Sequence, residues 1–204
     1  MRTKIMSKQE LLLVVPLGLV FFIALFLNFS PEKSAQDSPV LVVEDVAAAS
    51  NQEQTSLGLP ARLKISAIGV DSVVVPVGLT SDGAMDVPKD PAEVAWYSLG
   101  SRPGEIGSAV IAGHYDWIKN IPAVFNDLDQ LSQGDKIFVE DESGVTSTFI
   151  VRDIRIYDKD QDASDVFVSA DDQSHLNLIT CAGSWNMEEE IYSDRLIVFA
   201  DKES

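Results

Sequence analysis

The chain has 204 residues and a single cysteine, Cys181, which excludes an internal disulfide framework and any multi-cysteine zinc or iron–sulfur site. Thirty-two acidic against 15 basic residues give a formal charge of −17, and a surface that acidic repels phosphate backbones, so no nucleic-acid partner is expected. Hydrophobic residues make up 46%, enough for one packed core with an appendage.

Residues 1–10 carry Arg2, Lys4 and Lys8 against Glu10, and Leu11 to Leu27 follow without a charge. As a helix that run is roughly 26 Å long, near the roughly 30 Å of a bilayer's hydrocarbon core. No small-residue cleavage site follows it, since Ala47-Ala48-Ala49 lies too far downstream. The expectation is an uncleaved transmembrane anchor over 11–29, with residues 1–10 cytoplasmic by the positive-inside rule and the rest of the chain outside. Beyond residue 29 the charge becomes −19, because three positive charges and one negative are removed. Residues 30–56 are polar with one short apolar patch, Leu41 to Val43, and read as a flexible extracellular linker.

Residues 57–204 form the folded unit. Strand-like segments run from Arg62 to Ile68, Ser72 to Val77, Ser108 to Ala112, Lys136 to Glu140, Thr146 to Tyr157, His175 to Cys181 and Arg195 to Ala200. Helical patterns are confined to Asp90–Leu99 and Pro122–Leu131. Many closely spaced strands with few helices predict a mostly β, closed or nearly closed barrel, with a sandwich as the alternative.

Cys181 ends an apolar run and opens the loop Ala182-Gly183-Ser184, a placement suited to function, although a lone cysteine is commonly a buried small hydrophobe. His175 shares its strand but stands roughly 20 Å away at 3.3 Å per residue, too far to hydrogen-bond, and reads as solvent-facing. His114 ends the strand-like run Ala109 to Gly113, and two strand ends can meet at one rim, so His114 is the candidate acid/base. Arg195 begins the last strand, where one hairpin brings it near Cys181 as an oxyanion partner; a surface salt bridge is the plainer reading. Trp117 and Trp185 follow the histidine and the cysteine, and suit either a groove or a core.

Asn177-Leu178-Ile179-Thr180-Cys181, the upstream Gly113-His114, and Asp194-Arg195-Leu196-Ile197-Val198 together resemble the sortases, cysteine transpeptidases of bacterial cell surfaces. The resemblance runs over about residues 60–201 and includes Pro103-Gly104, Gly107, and the Phe125-x-x-Leu128-x-x-Leu131-x-x-Gly134-Asp135 stretch. Asn177 stands where the family's usual run has threonine, and the pattern is nearest the small class D, E or F-like members.

That resemblance implies an eight-stranded barrel with Cys181, His114 and Arg195 at a groove. It implies that Cys181 attacks an LPXTG-like sorting signal of a surface protein. His114 then protonates the leaving amine, while Arg195, backbone amides and the Thr180 hydroxyl hold the oxyanion. An amine from a peptidoglycan precursor or a pilin lysine releases the acyl chain. A thiol hydrolase on the same site and a non-catalytic surface binding module are the competing functions.

Unperturbed histidine and cysteine differ by about two pKa units, so only roughly 1% of such pairs carry the thiolate and imidazolium together. The expectation is therefore a neutral Cys181 and His114 at pH 7. The chemistry requires no cofactor. Asp158-x-Asp160-x-Asp162 resembles the opening of a calcium loop, but Ala163 replaces its glycine and Ser169 its bidentate glutamate, leaving three aspartates as the calcium candidates.

Overall fold

The computed structural model describes residues 57–118 and 121–204. The anticipated transmembrane helix at 11–29 and the linker at 30–56 lie outside the described residues. Within those residues no helix is long and apolar enough to cross a membrane.

Ten strands follow in chain order: β1 (Pro60–Ile65), β2 (Val70–Val77), β3 (Val94–Tyr97), β4 (Gly107–Gly113), β5 (Asp116–Trp117), β6 (Ile121–Pro122), β7 (Lys136–Asp141), β8 (Thr146–Asp158), β9 (Ser174–Asn186) and β10 (Ile191–Lys202). Eight of them close into a barrel ordered β1-β2-β3-β4-β9-β10-β8-β7, and β5 and β6 form a separate two-stranded ribbon. The barrel, not the sandwich, is the observed architecture. Closure removes free sheet edges, and β1 supplies it by pairing with both β2 and β7.

Side-chain alternation builds two cores. Leu63, Ile111, Phe149, Leu176, Leu178, Leu196 and Val198 fill the interior. The opposite face of the same strands carries Val110, Ile197 and Phe199, which pack with Tyr157 and Val166 on the outside of the barrel. Val166 belongs to α1 (Ser164–Phe167), a single turn inside the acidic 158–172 segment. Its partner Phe167 meets Tyr97 edge-on, with ring centroids 5.5 Å apart.

Two helical expectations are corrected. Asp90–Leu99 is not a helix; it is a turn followed by β3, which pairs parallel with β2 and antiparallel with β4. Val94, Ala95 and Trp96 are all buried, so this strand shows no alternation and its period carries no strand signal. Pro122–Leu131 forms turns and one 3-10 turn at Leu128–Gln130. Its apolar residues Phe125, Leu128 and Leu131 recur at every third position and all enter the interior, a spacing that suits 3-10 geometry.

Candidate active site

Parallel pairing of β4 with β9 sets Ala112 beside Ile179. Antiparallel pairing of β9 with β10 sets Cys181 opposite Arg195. In β4, Ala109 and Ile111 point inward, so Val110, Ala112 and then His114 point outward. In β9, Leu176, Leu178 and Thr180 point inward, so Ile179 and Cys181 point outward. His114 and Cys181 therefore emerge on the same outer face at the same end of adjacent strands. Both line one cavity of about 480 Å³.

The inward residues lock this junction. The Thr180 hydroxyl donates to the Gly113 carbonyl at 2.9 Å, and Thr180 is only 4% exposed. This corrects the assignment of the Thr180 hydroxyl to the oxyanion: it faces the interior and ties β9 to β4. Gly113 is required because the Phe125 ring lies against its α-carbon, where a Cβ would come within 2.5 Å of that ring.

His114 is oriented by the loop between β2 and β3. Its Nε2 lies 2.8 Å from the Pro88 carbonyl. A carbonyl only accepts, so Nε2 carries the proton and Nδ1 is left as the basic nitrogen. Trp117 packs against the imidazole with centroids 4.9 Å apart.

Arg195 donates through Nη1 to the carbonyls of Tyr192 and Asp194, at 3.1 and 2.8 Å. Among the described residues it makes no ion pair, contrary to the surface salt-bridge reading. It lines a second outer cavity of about 500 Å³, walled by Met85, Val166, Phe167, Ile179 and Ile197. Arg195 lines this cavity and Cys181 the first, and the two residues are register partners across β9 and β10.

Burial pushes the Cys181 thiol up from its ordinary value; Arg195 opposes the rise and Asp116 adds to it. The neutral thiol anticipated from the sequence agrees with this direction.

A bulge follows the cysteine. Ala182 pairs with Asp194 and Trp185 with Tyr192, so Gly183 and Ser184 together oppose Ser193. Gly183 has φ +80°, and a Cβ there would collide with Asp194 and Ser193. Beyond the bulge, Trp185 meets Tyr192 edge-on at 5.1 Å. Trp185 and Trp117 both line the cavity of Cys181, so neither is a core residue.

His175 is corrected as well. Its side chain is 11% exposed and bridges Asp201 through Nδ1 at 2.7 Å and Asp171 through Nε2 at 2.8 Å. The calcium candidates are engaged in local turns: Asp158 accepts from the Asp160 amide and Asp162 from the Ser164 amide, while Asp160 pairs with Lys159. Among the described residues no three histidine, cysteine or acidic side chains are grouped to hold a metal ion.

Residues missed by sequence reasoning are Asp116, Tyr192 and Pro88. Asp116 stands two positions after His114, a spacing visible in the sequence; the carbonyl of Pro88 carries no side-chain signal at all.

The sortase domain model matches residues 63–203. No curated protein matches the chain in sequence. Among solved structures, a Clostridium perfringens sortase D5 transpeptidase is 25% identical, with 72% of this chain and 79% of that chain covered at a TM-score of 0.54. Sortase C-1 from Actinomyces oris is 23% identical, covering 70% and 73% at 0.55. A lid mutant of sortase A from Corynebacterium diphtheriae is 18% identical, covering 76% and 75% at 0.56. The match spans more than half of the chain and contains the cysteine, the histidine and the arginine, so this protein belongs to the sortase family and is a cysteine transpeptidase.

Proposed function

We propose that this transpeptidase is anchored in the bacterial cell membrane by residues 11–29, with its N-terminus cytoplasmic, and that it cleaves LPXTG-like sorting signals of surface proteins outside the cell. The acyl chain passes to an amine, such as that of a peptidoglycan precursor or a pilin lysine. The observation that carries this reading is the register pairing of Cys181 with Arg195, each of which lines an outer cavity, with His114 in the cavity of Cys181. The apolar cavity beside Arg195 suits the leucine and proline of the signal, and the cavity behind Cys181 leaves room for an incoming amine.

In the first half-reaction the Cys181 proton passes to Nδ1 of His114 as sulfur attacks the carbonyl carbon. Arg195 retains unengaged N–H groups for the oxyanion among the described residues. Collapse breaks the C–N bond, and His114 returns the proton to the departing amine. The resulting thioester keeps the acyl group activated toward amines. Nucleophile, acid and oxyanion partner are all protein groups, so the reaction proposed here runs without a cofactor, and chelation by EDTA is expected to leave its rate unchanged.

The test incubates the protein with an LPXTG-like peptide library, with and without added amines, and follows products by mass spectrometry. New amide products support transfer. Release of free acid alone, even with amine in excess, replaces it with a thiol hydrolase. Activity that survives Cys181→Ala and iodoacetamide leaves a binding module. Fractionation of cells expressing the full chain checks the anchor: recovery in the soluble fraction overturns it.

A further inference from the structure

The cavity behind Cys181 has a chemistry of its own. Asp116 projects into it from β5, with Oδ2 accepting the Tyr192 hydroxyl at 2.6 Å. Tyr115, Trp117, Trp185 and Tyr192 form its walls, and Tyr115 meets Tyr192 edge-on at 5.7 Å. Among the described residues Asp116 makes no ion pair and no hydrogen bond to His114. A half-buried carboxylate among aromatic faces is complementary to a cation that donates hydrogen bonds. The turn joining β9 to β10, which connects Trp185 to Tyr192, carries Glu188, Glu189 and Glu190, of which Glu189 pairs with Lys159. This charge favours approach of cations.

We propose that Asp116, braced by Tyr192, is the receptor for the protonated acceptor, a primary alkylammonium held at the aromatic-walled cavity beside Cys181. The inference rests on the transpeptidase reading and assigns its second substrate by charge class. Amines reach the enzyme as ammonium ions, which are not nucleophilic. Asp116 binds the ion, and one of its protons passes to Nδ1 of His114 in the same cavity. The freed nitrogen attacks the thioester carbonyl carbon, the C–N bond forms and the C–S bond breaks with its electron pair on sulfur. Sulfur takes the extra proton of the new amide nitrogen, and His114 releases its proton to water.

The test needs no sorting signal. Iodoacetamide alkylates Cys181 of the full chain in detergent at fixed ionic strength, with increasing pentylammonium or 1-pentanol as the competitor. Pentylammonium is expected to protect the wild type, and its half-protecting concentration is expected to rise at least tenfold in Asp116→Asn, which keeps the shape and the Tyr192 contact. Tyr192→Phe, which keeps the charge, is expected to shift it less than threefold. Pentanol is expected to protect weakly and equally in all three. No protection of the wild type, equal protection of Asp116→Asn, pentanol protecting as well as pentylammonium, or an equal loss in Tyr192→Phe each overturns the proposal. Failure of the sorting-signal reading appears elsewhere, as absence of acyl-enzyme with any peptide.

Discussion

Cys181 and its neighbours set the pH behaviour of the site. Because burial raises the thiol's pKa, alkylation of Cys181 by iodoacetamide is expected to climb with pH to a midpoint above the ordinary value of about 8.5. The partners fix the signs: Arg195→Gln removes a group that favours thiolate and shifts the midpoint up, whereas Asp116→Asn removes one that disfavours it and shifts the midpoint down. A midpoint below 6 contradicts this account. Arg195→Lys keeps a charge but loses the planar donor fork, and a loss of about 10²–10³ in kcat on a sorting peptide is expected.

At His175, outside the candidate catalytic cluster, hydrogen-bond partners rather than burial decide the shift. Burial lowers its pKa, but hydrogen bonds to Asp171 and Asp201 outweigh burial and raise it, while Asp171 is held down to about 2, mainly by His175. A raised histidine pKa contributes stability that is full below its unfolded value of about 6.5 and lost as pH rises through the folded value. A lowered aspartate pKa contributes stability above about 3.9 that is lost as pH falls toward 2. The difference in urea midpoint between wild type and His175→Ala is therefore expected to be largest between those limits, at about pH 4–6.5, and to shrink on both sides. A pH-independent difference removes the ion-pair explanation.

Among the elements, the junction of β4 with β9 and the bulge between β9 and β10 decide where the candidate catalytic groups stand. Gly113→Ala drives a methyl group into the fully buried Phe125 ring, and overpacking of this kind costs about 1–3 kcal/mol. A lowered thermal midpoint with reduced activity is expected, since the displaced β4 end carries His114. Gly183→Ala meets both a positive φ and the side chains of Asp194 and Ser193. It is expected to disturb Trp185 and Tyr192 beyond the bulge, read as altered tryptophan fluorescence, while the β4 junction is kept. Strand existence was legible where one face is buried and one is not, as in Thr146 to Tyr157. It was not legible in β3, where neighbours on both faces erase the alternation, nor in 122–131, where apolar residues at every third position imitate a helix.

At the scale of the whole molecule, the barrel places its interior and its chemistry on opposite faces of the same strands. Leu178 and Val198 hold the fold from inside, while Ile179, Cys181, Arg195 and Ile197 look outward into the two cavities. A single residue of register shift in β9 would bury the thiol and expose Thr180.

Sequence alone singled out the groups proposed to carry the reaction. A chain with one sulfur nucleophile and two imidazoles leaves little choice, and separation along an extended strand removes His175 by distance. It also determined the apolar stretch at 11–27 and the acidic balance, because those are sums over residues. Only the tertiary structure decided the partners of Thr180, His175 and Asp116, because a hydroxyl, an imidazole and a carboxylate bond to whatever folding brings before them. Their partners Gly113, Asp201 and Tyr192 lie 67, 26 and 76 residues away in the chain. The orientation of His114 likewise depends on the Pro88 carbonyl, a group every residue possesses and that only folding brings within reach.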